Sequence, residues 1–290
     1  MKKGSLFIIF SLILSCFILF SGTRHHGRKN HWKEHIREVG GEKETVFYFV
    51  QNSVRKADLE KGIMEGKVEG RWRKFKSISL PEEFLDWSFS KRIETIEGIK
   101  TMKMPGLAGP HNAIVASHGM VRKDSMYSIN NAVKGVGFLP KKDKLKDVIK
   151  HLTETCAGPM EEKLEYLISM YKDGKELFDI DKQVSLELYS APDFETHSFL
   201  NAMTDPGVAI VFLDIPSYEL RCITYMIHPD NPNLTDYEKD IVQYINLIHS
   251  YFHGEFPKDY IAVVYYVVEV FNNTPGKRDG LGQKVMPKIP

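Results

Sequence analysis

The chain has few cysteines, almost no net charge and no Cys-x-x-Cys pair. It contains 3 cysteines, Cys16, Cys156 and Cys222, in 290 residues. Because Cys16 lies in an apolar segment, at most one internal disulfide is expected, which excludes a disulfide-stapled scaffold. A cysteine-based zinc site is not expected either. Lys and Arg number 39 against 38 for Asp and Glu, which argues against a general nucleic-acid binder.

The motifs of several common enzyme classes are also missing. There is no Gly-x-Ser-x-Gly of a serine hydrolase and no Gly-rich phosphate loop ending in Lys and Ser or Thr. His249 and His253 match the outer spacing of a zinc-peptidase motif but lack its glutamate. These two histidines are compatible with a metal site, or with charges that complement the end of a helix.

The N-terminus predicts targeting to a membrane. Lys2 and Lys3 precede an apolar run over 6–20, which is short for a spanning helix and typical of a signal-peptide core. Residues 1–23 are therefore interpreted as a cleaved signal peptide, a lipoprotein signal with Cys16 as the lipidated residue, or an uncleaved anchor. Basic residues after the run oppose simple export, but we still expect the extracytoplasmic side.

A basic, histidine-rich arm over 24–41 follows the apolar run. We predict that this arm is solvated and attracted to anionic lipid. An alternative interpretation is a metal site, since His31 and His35 are four residues apart and would share one face of a helix.

The rest of the chain predicts mixed helices and strands. We expect a strand over 44–50, one or two strands before Pro81, and a helix starting there. The loop over 102–112 is rich in Gly and Pro and marks a boundary. This boundary separates an N-terminal segment, 42–104, from a larger domain, 105–275, and the tail is 276–290.

Within the larger domain, periodicity predicts two further strands, two helices in the segment 141–174 and a strand before Pro192. In that last strand, Val184, Leu186 and Leu188 would share one face. A long helix should be capped by Thr235 and Glu238. The apolar run from 259 to 273 predicts a strand that is buried on both faces.

The stretch "LELYSAPDFETHSFLNAMTDPGVAIVFLD" is a strand, a short helix, an Asp-Pro turn and a second strand. With "HNAIVASHG" before it and "KDYIAVVYYVVEVF" after it, the pattern resembles the split β-barrel family over residues 110–272. The best-known members of that family are the pyridoxamine-phosphate-oxidase-like flavin-binding proteins. The matching residues are Asn201, Asp205, Pro206 and Asp214. The resemblance implies an α+β fold with an antiparallel split barrel and helical insertions.

The resemblance also implies a cofactor, FMN or, as second choice, haem, and a homodimer. In the family an Arg or Lys near the start of this helix usually holds the phosphate, but here the helix opens with hydroxyl and imidazole groups. A phosphate needs cationic donors or free helix-end N–H groups. The residues expected to bind the cofactor are Thr196, His197, Ser198, Asn201 and Arg221.

Three functions remain open from the sequence. The first is a membrane-associated, flavin-binding protein that supports redox chemistry, in which the ring does the hydride or electron transfer and the protein orients it. The second is a non-enzymatic, membrane-tethered binding or scaffolding module. The third is a metal-dependent enzyme that uses His249 and His253. A metal site is not the leading expectation, and no nucleic-acid partner is expected.

Overall fold

The computed structural model describes residues 31–122, 124–276 and 283–285. The predicted targeting segment 1–23 and most of the tail lie outside these ranges, and their predictions stay untested. Within the described ranges, none of the helices combines the length and the apolar composition that crossing a bilayer requires.

The first described element is a hairpin, which corrects part of the predicted basic arm. Strand β1 (Trp32–Val39) pairs with β2 (Glu42–Phe49) through Gly40 and Gly41, which both have positive φ. Such paired glycines favour tight hairpin turns. Because residues 32–39 are extended, His31 and His35 do not share a helix face. The ring of His35 instead lies edge-on to Tyr48.

A three-stranded antiparallel sheet follows. It contains β3 (Val54–Asp58), β4 (Ile63–Val68) and β5 (Arg71–Lys76), in the spatial order in which they occur along the chain. Its inner face carries buried Met64 and Gly66. A Cβ on Gly66 would lie 3.2 Å from Pro206 Cγ, so this face packs closely on the rest of the molecule.

Helix α1 (Glu82–Lys100) begins after Pro81, as predicted, with Glu82 and Glu83 in its first turn. Pro at a helix start and acidic residues in the first turn both stabilise a helix. Its aromatic face, Phe84 and Trp87, contacts Phe212 and Tyr218 at centroid distances of 5.2 to 5.6 Å. The segment 42–104 and the domain 105–275 therefore contribute to one hydrophobic core. Their division into separate units stays a prediction.

The main sheet has eight antiparallel strands, in the order β7-β6-β10-β11-β12-β9-β8, with β13 paired to β12. Its edge strands β7 and β8 are separated only by Val136, so the sheet has to curl until its two edges meet. The strands are β6 (Asn112–Ser117), β7 (Asn130–Gly135), β8 (Gly137–Pro140), β9 (Phe178–Glu187), β10 (Gly207–Val211), β11 (Tyr218–Ile227), β12 (Ile261–Asn272) and β13 (Gln283–Val285).

The helices occupy the predicted places. The two predicted insertion helices lie between β8 and β9, and the capping box of the long helix is present, since Thr235 and Glu238 bond reciprocally. Leu188 is the exception. It lies beyond the end of β9 and is exposed, so it does not share the buried face of Val184 and Leu186. The remaining helices are α2 (Lys142–Thr155), α3 (Met160–Lys172), α4 (Gly174–Leu177), α5 (His197–Thr204) and α6 (Asp236–His253).

The fold class is therefore α+β with a curled antiparallel sheet and helical insertions. Strand β12 is buried along most of its length, which confirms the prediction of a central strand covered on both faces. An all-apolar run of this kind needs cover on both sides, because either exposed face would place large aliphatic side chains in water.

Candidate functional site

The start of α5 holds three of the five residues predicted to bind a cofactor. Thr196 caps the helix, accepting a hydrogen bond from the backbone N–H of Phe199 at 3.1 Å. The hydroxyl of Ser198 accepts a hydrogen bond from the amide of Asn130 at 3.0 Å. Both hydroxyls are thus already engaged in holding the helix start to its neighbours. Their role in binding a cofactor stays a prediction.

His197 lies beside these hydroxyls. Its Nε2 is buried, has no hydrogen-bond partner among the described residues, and lies 3.8 Å from Asp124 Oδ1. Burial lowers the pKa of the imidazole, and Arg122 lowers it further, while Asp124 opposes the shift. A neutral imidazole is a weak partner for a phosphate, since it adds no positive charge.

Asn201 is fully buried and holds a loop. Its amide donates to Ser117 Oγ at 3.1 Å and to the carbonyl of Ser128 at 3.0 Å, and its Oδ1 accepts from the N–H of Met120 at 3.0 Å. The backbone of Gly119 runs so close that an added Cβ would lie 3.0 Å from the carbonyl oxygen of Asn201. Asn201 therefore positions the connection between β6 and β7.

Arg221 lies on a different surface from the other four. It is on the outward face of β11 and bonds to Glu219 Oε1 at 3.0 Å. Its second carboxylate partner, Glu269 Oε2, is at 3.5 Å, and its guanidinium lies 4.5 Å from the ring centroid of Phe271. About half of the side chain is exposed, so the guanidinium remains accessible to a ligand.

A groove of about 780 Å³ lies between the β4–β5 hairpin and the outward face of the main sheet. Its floor includes two alanines that pair directly in neighbouring strands, Ala116 and Ala209, and Arg221 pairs with Ala209 from the other side. Its lining includes, from the described residues, Arg73, Phe75, Ala116, His118, Ala209 and Arg221. The groove combines a flat apolar floor with cationic groups at its edge, an arrangement suited to a planar ligand that carries negative charge.

Asp205 anchors one wall of this groove. Its Oδ2 accepts from the N–H of Glu69 at 2.6 Å and its Oδ1 from the N–H of Gly207 at 2.9 Å, so it joins the β4–β5 turn to the end of α5. The same Oδ2 lies 3.9 Å from His118 Nε2. The Asp-Pro turn matched in the sequence thus builds the groove rather than lining it.

The alternative metal-binding histidines are only partly available. His249 Nδ1 lies 2.7 Å from the carbonyl of Ile245, and burial lowers the pKa of this imidazole to about 4. Burial also lowers the pKa of His253. No group of three or more His, Cys, Asp or Glu side chains within the described ranges is arranged to hold a metal ion. Cys222 is buried and packs as a small core residue.

Arg73, His118 and Phe75 were missed as candidate site residues. The alternating run over 71–76 indicates a strand but does not indicate which surface the strand approaches. The one available signal was charge, since the strand contains Arg71, Arg73, Lys74 and Lys76. Such density indicates an anionic partner for that hairpin.

Comparisons with known proteins give little more. No family model and no curated protein matches the chain. One similar solved structure is that of a Clostridium acetobutylicum protein, described as related to general stress protein 26 of B. subtilis and as belonging to the pyridoxinephosphate oxidase family. It is 11% identical, with a TM-score of 0.28, and the match covers 68% of this chain and 94% of that one. A TM-score this low does not establish a shared fold.

Proposed function

We propose that the chain is a split-barrel protein that binds FMN, or a related planar anionic cofactor, in the groove beneath the β4–β5 hairpin. One observation carries the proposal: the cross-strand row Ala116–Ala209–Arg221 places a guanidinium at the end of a flat floor of methyl groups. A planar ring can lie on the two alanines because their methyl groups project only a short way from the sheet.

The charge at the edge of the groove suits a phosphate. Arg73 bonds to Glu69 Oε2 at 3.1 Å and Arg221 bonds to Glu219 and Glu269, so each cation has a carboxylate partner. These pairs are exposed, and exposed pairs contribute about 0 to 1 kcal/mol. A phosphate that bonds bidentately to an arginine can therefore displace the 3.5 Å contact with Glu269.

In this proposal the protein supplies binding and orientation. A bound flavin would supply the hydride or electron transfer. Arg221 and Arg73 would hold the anionic group, Ala116 and Ala209 would support the ring, and Asn201 and Asp205 would keep the groove walls in place. That last pair acts through its neighbours and does not contact the cofactor.

The test is a titration of the purified full chain with FMN, followed by quenching of flavin fluorescence. Ala209→Leu fills the floor and should weaken binding by more than tenfold, since a buried side chain would occupy the place of the ring. Val211→Leu is the matched control. It lies on the same face of β10 but pairs with Ile114 and Glu219, outside the groove lining.

A second pair of titrations locates the phosphate. Arg221→Gln should weaken the binding of FMN several-fold or more while leaving that of riboflavin, which has no phosphate, little changed. Equal affinity of the wild type and Ala209→Leu for FMN, or no saturable binding of FMN to either protein, would contradict the proposal that FMN binds in the groove.

Haem and the other two predicted functions have less support. Among the described residues, His118 is the one histidine lining the groove, and it lies beside Asp205. Haem binding would give an intense Soret band on titration, which distinguishes it from flavin. A metal-dependent enzyme would require ligands beyond His249 and His253. Metal analysis of the wild type and of His249→Ala tests that alternative.

One observation supports the alternative function of a non-enzymatic binding module. On the outward face of β6 and β7, Ile114 and Val133 pair directly and are 37% and 70% exposed. Contiguous exposed apolar residues of this kind indicate association. We propose a second copy of the chain as the partner, and Val133→Lys should shift sedimentation from dimer towards monomer if this is correct.

Membrane association through residues 1–23, on the extracytoplasmic side, is also a proposal. It is supported by the apolar run over 6–20 and the two lysines before it. Cell fractionation of the full chain and of a variant lacking residues 6–20 tests it. Recovery of both proteins in the same soluble fraction would contradict it.

A further inference from the structure

The three-stranded β3–β5 sheet has a second, outward face whose composition the groove does not explain. Strand pairing places Arg55 opposite Glu65, Glu65 opposite Lys74, and Lys67 opposite Trp72. Cross-strand partners point to the same side of a sheet. The guanidinium of Arg55 lies 4.0 Å from the ring centroid of Trp72, which confirms that these residues share one side.

This basic face is defined as Arg55, Glu65, Lys67, Trp72, Lys74 and Lys76. It carries four basic residues and one acidic residue, and Lys56 beside it adds a further positive charge. Glu65 accepts from both Arg55, at 2.8 Å, and Lys56, at 3.3 Å. Among the described residues, Lys67, Lys74 and Lys76 form no ion pair. The face therefore carries uncompensated positive charge although the whole chain is almost neutral.

Trp72 lies among these charges with 37% of its surface exposed. An indole flanked by cations is the combination found where proteins meet lipid headgroups: the ring enters the interface and the amines meet lipid phosphates. We propose that the basic face is a docking surface for anionic membranes. The groove lies on the inner side of the same sheet, and Lys74 and Lys76 also border it.

A membrane is favoured over a nucleic acid for two reasons. Single-stranded nucleic acids bind to several aromatic side chains on which successive bases stack, and Trp72 is the one aromatic residue of this face. The sequence also places an apolar run at 6–20, which is expected to hold the chain at a bilayer. A sheet face that binds lipid would then fix the orientation of the domain on that bilayer.

The test compares partitioning of the full chain onto phosphatidylcholine vesicles and onto vesicles that also contain phosphatidylserine. The N-terminal apolar run contributes to partitioning onto both kinds of vesicle. The ratio of the two partition coefficients therefore reports the charge-dependent part of the binding. Each basic residue near an anionic surface strengthens binding by about fivefold. The triple variant Lys67→Gln/Lys74→Gln/Lys76→Gln should lower the ratio by about a hundredfold, and added salt should lower the wild-type ratio.

The matched control is Lys144→Gln/Lys146→Gln/Lys150→Gln, which removes three exposed lysines from α2. This control should leave the ratio close to that of the wild type. The blue shift of tryptophan emission on phosphatidylserine vesicles should be lost in Trp72→Phe. A wild-type ratio near one, an equal loss in both triple variants, or tighter binding to a single-stranded oligonucleotide than to the vesicles would each overturn the proposal. FMN is absent from this experiment, so its outcome is independent of the groove.

Discussion

The side-chain amide of Asn201 donates to the hydroxyl of Ser117 over 3.1 Å, joining α5 to the end of β6. The two residues are 84 positions apart in the chain. Further bonds from the same side chain to Ser128 and Met120 hold both ends of the loop that follows β6. One buried asparagine thus shapes the wall of the groove that contains His118, without lining the groove itself.

Replacing Asn201 by leucine should destabilise the fold by about 3 kcal/mol, because buried Ser117 and half-buried Met120 and Ser128 lose their hydrogen bonds. Urea denaturation measures the loss, and hydrogen exchange should increase in residues 118–129. Asn233→Leu is the control, since Asn233 is exposed and its side chain makes no hydrogen bond among the described residues. Equal stability of the two variants would show that the Asn201 network contributes little.

A second prediction concerns Arg92, which is buried in α1. Its Nη2 donates to the carbonyl of Pro110 at 2.5 Å and to that of Val136 at 2.9 Å, at the junction of the two edge strands. Arg92→Lys keeps the charge, but one ammonium replaces three guanidinium nitrogens, two of which contact Ser88 and Tyr171 at 3.4 Å, so we expect a loss of about 2 kcal/mol. Thermal denaturation measures it. Arg55→Lys, on an exposed arginine, should change the stability by less than about 0.5 kcal/mol.

The sequence predicted local structure well where one residue type decides it. The spacing of Thr235 and Glu238 predicts the capping box that the structure contains. The apolar composition of 261–272 predicts a buried strand, because either face would otherwise place aliphatic side chains in water. The β1–β2 hairpin was missed, since exposed strand residues give weak alternation. The Gly40-Gly41 pair between two extended runs was the signal for it.

The candidate site could be predicted only in part. Arg221 and Glu219 are two residues apart in the sequence, and they lie on one face of β11, as alternation along a strand requires. Alternation did not show that β5, more than a hundred residues earlier, covers that face, because periodicity reports which side of a strand is buried and not what buries it. Asn201 was expected to contact a ligand, but it holds a loop. The sequence does not distinguish these two roles for a polar residue on a buried helix.

A third prediction tests how the β3–β5 sheet docks. An added Cβ at Gly66 would lie 3.2 Å from Pro206 Cγ, 3.4 Å from Phe75 and 3.6 Å from Ile223. Gly66→Ala therefore requires the neighbouring side chains to shift, and we expect a loss of about 1 kcal/mol together with weaker FMN binding. Chemical denaturation and flavin titration measure the two effects. Gly135→Ala is the control, because nothing lies within 4 Å of its added Cβ.

The last prediction is a loss of stability in mild acid that depends on His228. This ring is buried, and its Nδ1 accepts a hydrogen bond from the N–H of Asp230 at 3.1 Å. Burial, reinforced by Lys258, lowers the pKa of His228 from 6.5 to about 4. The unfolded chain therefore binds a proton first as the pH falls, so the stability is complete above about pH 6.5 and decreases towards pH 4. The difference corresponds to about 3 kcal/mol for this residue.

His228→Asn separates this contribution from those of the other histidines. Asparagine does not titrate, and its side-chain oxygen can accept the same hydrogen bond from Asp230. Burial also lowers the pKa of His111 to about 3 and that of His249 to about 4, so the variant should keep part of the slope. Urea denaturation at a series of pH values between 4 and 7 measures the free energy of unfolding. If the free energy of unfolding depends on pH as steeply in the variant as in the wild type, folding does not lower the pKa of His228. The acid sensitivity would then arise from His111 and His249.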